Sequence, residues 1–83
     1  MRITVKLFAI LRDRAGTAEL PLELPAEATV QSACSQIVKE LPEIRELLSK
    51  VAFAINREYV KPDTILREGD ELALLPPVSG GCE

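Results

Sequence analysis

The chain has 83 residues, 47% hydrophobic and 28% charged, with a formal net charge of −3 and no histidine. A chain this short makes one domain near the lower size limit, burying only about 60–65% of the surface it exposes when unfolded. The composition excludes a basic nucleic-acid footprint and an imidazole base or metal ligand, and the two cysteines, Cys34 and Cys82, fall short of a four-cysteine zinc set. No apolar run approaches the roughly 20 residues that span a bilayer, and no basic-then-apolar leader opens the chain, so a cytoplasmic protein without membrane or nucleic-acid partners is expected.

From Arg2 to Leu7 polar and apolar residues alternate, with Ile3, Val5 and Leu7 on one side of a half-buried strand. Phe8 to Arg14 changes period, and Ile10, Leu11 and Ala15 suit a short helix stopped by Gly16. Leu20, Leu22 and Leu24 begin a second alternation in which Pro21, Glu23 and Pro25 face away. Proline donates nothing to a ladder, so this strand should have a free edge. The clearest helix covers 30–41, where Val30, Ala33, Cys34, Ile37, Val38 and Leu41 recur at three- and four-residue intervals. Thr29 is placed to cap it and Pro42 to stop it. Residues 43–50 offer a further short helix with Ile44, Leu47 and Leu48 inward. Val51, Phe53 and Ile55 alternate with alanines in a strand, Asn56-Arg57 makes a tight connection to Glu58-Tyr59-Val60, and Glu68-Gly69-Asp70 is a turn before the last strand, 71–75.

The first and last strands are the most regular and are expected side by side in the sheet centre. The stripe of the long helix and one sheet face must cover each other. The result is an α+β roll of β-grasp type, a mixed sheet packed on one main helix, over residues 1–75.

Residues 76–83, Pro76-Pro77-Val78-Ser79-Gly80-Gly81-Cys82-Glu83, read as an extended C-terminal tail. Proline fixes φ and favours extension, whereas Gly80 and Gly81 let the walls of a narrow site approach the main chain. Such an arm suits insertion into another protein with its own carboxyl as the reactive group.

The chain resembles the small, sulfur-carrying subunits of molybdopterin synthase, β-grasp relatives of ubiquitin, over essentially its whole length. The segment from Leu66 through Gly69-Asp70-Glu71 and Leu75 to Pro76-Pro77-Val78-Ser79-Gly80-Gly81 carries the resemblance most strongly. The segments 7–16 and 53–60 support it. The resemblance implies that a ubiquitin-activating-type adenylyltransferase uses ATP to adenylate the terminal glycine, that a sulfur donor converts it to a thiocarboxylate, and that the loaded tail enters the large synthase subunit. Gly81 would carry the thiocarboxylate and Gly80 would give clearance. Phe8, Tyr59 and Leu75 align with the family's hydrophobic docking surface, and Pro76, Pro77, Val78 and Ser79 with the inserted arm. Alternation turns Phe8 outward, which suits an interface aromatic.

A carboxylate with a pKa near roughly 3.5 is an anion and a poor electrophile at neutral pH, which is why activation is needed. The chain has no Gly-x-x-x-x-Gly-Lys loop, so ATP must be held by the activating partner; no cofactor is expected on this chain, a non-catalytic subunit of a sulfur-transferring complex. Because Cys82 and Glu83 follow Gly81, its carbonyl as written is an amide that cannot be adenylated. Removal of the dipeptide by a peptidase, a diverged chain retaining it, a dipeptide foreign to the natural chain, and sulfur carriage by Cys82 itself are the alternatives. Rival functions are sulfur carriage for thiamine or cysteine synthesis, a ubiquitin-like modifier joined to lysines, and an inactive interaction domain. Cys34 on the apolar stripe reads as a structural cysteine, and Glu40, Glu43 and Glu46 as a solvated face.

Overall fold

Alternation produces the strands. In the computed structural model, which describes residues 1–76, these are β1 (Arg2–Leu7), β2 (Glu19–Glu23), β3 (Ala52–Ile55), β4 (Glu58–Val60) and β5 (Glu71–Leu75). Between them lie α1 (Ala9–Ala15), α2 (Val30–Glu40), a 3₁₀ turn at Pro42–Ile44 and α3 (Arg45–Leu48). The sheet order is β2-β1-β5-β3-β4, with β1 and β5 parallel at its centre and the other neighbours antiparallel. Ile3, Val5, Leu7, Leu72 and Leu74 point to one side and pack with Leu11, Val30, Ala33, Ile37 and Ile44 from the helices. The α+β β-grasp expectation and the central placement of the first and last strands therefore hold, and β2, with Pro21, is an edge strand.

Several local expectations change. α1 starts one residue late because Phe8 stays extended, with φ −127° and ψ 154°. Seven residues give α1 one narrow buried stripe, so Leu11 is fully buried whereas Ile10 remains 43% exposed. The helix expected over 43–50 is divided: Ile44, with φ −104° and ψ 9°, departs from helical dihedrals between the 3₁₀ turn and α3. Its side chain is nevertheless fully buried, while Leu47 and Leu48 are only partly covered. β3 lies between β5 and β4, and Val51 falls just outside it.

Three devices hold the termini of these elements. Gly16 ends α1 in the left-handed region at φ 78°, its N–H donating to the Arg12 carbonyl at 2.8 Å. Thr29 Oγ1 accepts from the Ser32 N–H at 3.2 Å, as its cap position predicts. The first N–H groups of a helix have no partner within it. Here Val30 and Gln31 donate to the carbonyls of Thr64 and Pro62, both at 2.9 Å, so the loop after β4 completes the start of α2. Buried Leu66 anchors that loop, and its N–H donates to the Ala28 carbonyl at 2.8 Å. The β3–β4 connection is a two-residue loop with positive φ at both Asn56 (51°) and Arg57 (74°), the type I′ pattern without a glycine.

Thr29→Ala is expected to lower the unfolding free energy by about 1 kcal/mol, and Thr29→Ser to leave it nearly unchanged. Urea denaturation followed by circular dichroism checks this, equal losses for the two variants counting against a capping role.

Candidate functional site

The register that buries Leu7, Leu72 and Leu74 also decides what the opposite face of the sheet carries. Leu7 pairs with Leu74 in the parallel ladder, and Phe8, still extended, continues the alternation to the outer face in line with Leu75. Leu75 in turn pairs with Ala52. The next row across the same face is Lys6, Ala73, Ala54 and Tyr59. Further from the end of β5, the row changes to Thr4 and Glu71. Three sequence-predicted residues, Phe8, Leu75 and Tyr59, are thus brought to one face of the molecule.

Two of them are large exposed apolar groups, Phe8 at 42% and Tyr59 at 77%, whereas Leu75 is half-buried. Single exposed apolar side chains are ordinary, but several grouped on one face mark an interaction surface. Ala52, Ala54 and Ala73 lie between the larger residues in this register, Ala54 being buried. Their site role was not assigned from the sequence, although the alternation of Phe53 and Ile55 with alanines carried the signal. Pro76 is half-buried and follows Leu75 directly, so the chain leaves the sheet beside this patch. Pro77, Val78, Ser79, Gly80 and Gly81 lie outside the described residues, as do Cys82 and Glu83.

The β2 side of the same face is charged. Lys6 Nζ lies 2.6 Å from Glu19 Oε2 and 3.6 Å from Glu71 Oε2, and the hydrogen bond to Glu19 raises the lysine pKa above its ordinary value. Arg2 Nη2 meets Glu23 Oε2 at 2.8 Å, a hydrogen bond that lowers the pKa of the Glu23 carboxyl. The outer face therefore grades from ion pairs to an apolar patch at the exit of the tail. No three residues among the described His, Cys, Asp and Glu could hold a metal ion.

Elsewhere, polar groups serve the fold. Asn56 Nδ2 donates to Asp70 Oδ1 at 3.1 Å, and Asn56 Oδ1 accepts from the Glu71 N–H at 3.1 Å. Asp70 Oδ2 accepts from the Arg67 N–H at 2.8 Å, tying the β3–β4 turn to the start of β5. Glu68 Oε1 accepts from the Arg2 N–H at 2.9 Å, so both acidic residues of the Glu68-Gly69-Asp70 turn hold backbone. Cys34 is a free, half-buried thiol beside a groove of about 420 Å³ between α2 and the start of β3, and burial pushes its pKa up to about 11. Glu40, Glu43 and Glu46 are exposed, consistent with a solvated face.

A β-grasp domain whose apolar sheet patch adjoins the start of its C-terminal tail is a ubiquitin-like protein in architecture. The chain belongs to the ThiS family, whose model matches residues 5–81 and stops at Gly81. It is 38% identical to the molybdopterin synthase sulfur carrier subunit of Arabidopsis thaliana, over 98% of this chain and 84% of that one. The crystal structure of SAMP1 from Haloferax volcanii superimposes with a TM-score of 0.90 at 30% identity, covering 98% of this chain and 100% of the other. A chain in the complex of subunits 1 and 2 of the molybdopterin-converting factor from Helicobacter pylori matches with a TM-score of 0.71 at 26% identity, over 98% and 100% of the two chains. No helix among the described residues is long and apolar enough to cross a membrane.

Because the folded thiol titrates above the unfolded one, the neutral form of Cys34 is favoured by folding. That contribution is complete below the unfolded pKa and is lost as pH rises toward about 11. Alkylation of Cys34 by iodoacetamide, followed by peptide mass spectrometry, is expected to stay slow near neutral pH and to accelerate only in strongly alkaline buffer; a midpoint near that of a free thiol would count against the burial argument.

Proposed function

We propose that this chain is the sulfur-carrier subunit of a molybdopterin synthase and that Gly81 is the carrier terminus. The observation that carries the reading is the apolar face formed by Phe8, Leu75 and Tyr59 at the point where the tail leaves β5. Likeness to a sulfur carrier subunit over nearly the full chain supports it. So does the end of the family match at Gly81, with Cys82 and Glu83 beyond it.

The chemistry divides between the chain and its partners. Hydrolysis of the Gly81–Cys82 bond frees the Gly81 carboxyl. A ubiquitin-activating-type adenylyltransferase, the site of ATP, joins that carboxylate to AMP with loss of pyrophosphate. Sulfide delivered by a sulfur donor attacks the carbonyl carbon and AMP departs, leaving a thiocarboxylate. In the large subunit the thiocarboxylate sulfur bonds to a carbon of the pterin precursor as an oxygen substituent leaves that carbon. Water then cleaves the acyl–sulfur bond, so the sulfur stays on the pterin and the Gly81 carboxylate is returned. The chain itself binds neither ATP nor metal in this scheme, and the cycle runs in the cytoplasm.

Geometry explains why docking and delivery belong together. Gly81 lies five residues past Pro76 in the sequence, and a chain advances at most about 3.5 Å per residue. Its carboxyl can therefore reach no more than roughly 18 Å beyond Pro76. Docking through the patch beside Pro76 fixes the base of the arm, so the partner's pocket need search only that radius. In the sequence, Pro76 and Pro77 favour an extended backbone, and Gly80 carries no Cβ to obstruct a narrow site.

A second reading, a ubiquitin-like modifier, is favoured by the close superposition on SAMP1. It uses the same activated glycyl carbonyl with a lysine amine in place of sulfide. Intact mass of the protein from its own cells separates the two: the carrier reading expects a chain ending at Gly81 with one oxygen replaced by sulfur, and the modifier reading expects abundant lysine-linked conjugates. Deleting residues 81–83 should leave thermal unfolding unchanged and abolish sulfur transfer, so retained transfer would refute Gly81 as the carrier. Phe8→Ala should weaken binding to the large subunit by about 1–3 kcal/mol, measured by calorimetry.

A further inference from the structure

Between β1 and α1 the chain turns through a residue in an unfavourable conformation. Ala9 has φ +52°, and the Leu11 N–H donates to the Phe8 carbonyl at 3.0 Å across the turn. Ile10, the next residue, is not among the positive-φ residues, so Ala9 alone carries the unfavourable φ of this turn. Glycine is the residue suited to a positive φ, because it has no Cβ to crowd the backbone. An alanine persists in such a conformation only where its surroundings dictate it, and such positions cluster at functional sites.

The surroundings are visible on both sides. Leu7 and Leu11 are 1% and 0% exposed, so the chain is pinned in the core immediately before and after the turn. The exposed Phe8 lies between those anchors, still extended, at the rim of the outer face. Were residue 9 to adopt a negative φ, the direction between the two buried leucines would change, and Phe8 is the residue free to move. The strained turn thereby fixes the one aromatic that stands in line with Leu75.

We propose that Ala9 is a positioning residue for partner docking: its left-handed backbone holds Phe8 on the outer face, so affinity depends on what residue 9 tolerates. The proposal rests on the docking role of Phe8 given above. It ranks substitutions by their tolerance of positive φ. Ala9→Gly should raise the melting temperature and leave affinity for the large synthase subunit at least as high. Ala9→Val, β-branched and poorly suited to positive φ, should weaken that affinity about tenfold or more.

Calorimetric titration of the full chain against the large subunit, in the native and Phe8→Ala backgrounds, tests the assignment. The effect of Ala9→Val is expected to disappear when Phe8 is absent, which a merely structural role would not produce. Undiminished loss in the Phe8→Ala background, or no loss in the native one, overturns it. Phe8→Ala without effect on affinity defeats the docking role itself, whereas a loss for Phe8→Ala with none for Ala9→Val defeats only the role of Ala9. Should the valine variant fail to fold, Ala9→Gly decides: a lowered melting temperature, the usual effect of glycine at an ordinary helical position, overturns the proposal.

Discussion

The parallel pairing of β1 with β5 is the constraint on which the rest of this molecule depends. It joins strands more than sixty residues apart, and the register is held by buried pairs, Val5 with Leu72 and Leu7 with Leu74. Side chains alternate along a strand, so a slip of one residue would exchange the two faces of the sheet. The apolar partners of α2 would turn to water, and Phe8 and Leu75 would turn inward. Burial of the core and presentation of the apolar outer face are two consequences of one register.

That register also distributes charge. On the outer face the ion pairs of Lys6 and Arg2 lie toward β2, whereas Ala52, Ala54 and Ala73 lie toward β3 and β5. Exposed ion pairs contribute little stability and are screened by salt, so their main effect here is to keep the β2 side hydrated. Pro21 on the same edge withholds a ladder donor and discourages further strand pairing. The polar half limits unspecific association while the apolar half, where the chain leaves β5, remains available.

Much of this was legible in the sequence because it follows from period. The alternation of Ile3, Val5 and Leu7, the stripe from Val30 to Leu41 and the cap at Thr29 each reflect a local rule that tertiary packing then reinforced. Phe8, Tyr59 and Leu75 could be singled out through resemblance, and the outward turn of Phe8 through alternation alone. Regularity pointed to the first and last strands as central neighbours, but local rules do not carry the register between strands. The placement of Ala52, Ala54 and Ala73 needs the β5–β3 register, because alanine is equally at home in a core and on a shallow surface. The backbone of Ala9 was hidden for a related reason: alanine announces no special φ, and the conformation is imposed by Leu7 and Leu11 from either side.

Separating the two faces also separates stability from recognition. The side chains of Tyr59 and Phe8 contribute little to the core, so exchanging them changes the outer face without opening a cavity. The opposite holds for Leu74 or Val5, where a change large enough to matter at the docking face would first unfold the domain. Were this face to dock a partner as proposed, its exposed aromatics would carry a large share of the interface energy. A chain with no histidine and no metal-binding cluster among its described residues can therefore take part in demanding acyl chemistry. Under the proposed sulfur-carrier role, the folded part would select the partner and place Pro76, and the proposed carrier residue, Gly81, follows five positions later in the sequence.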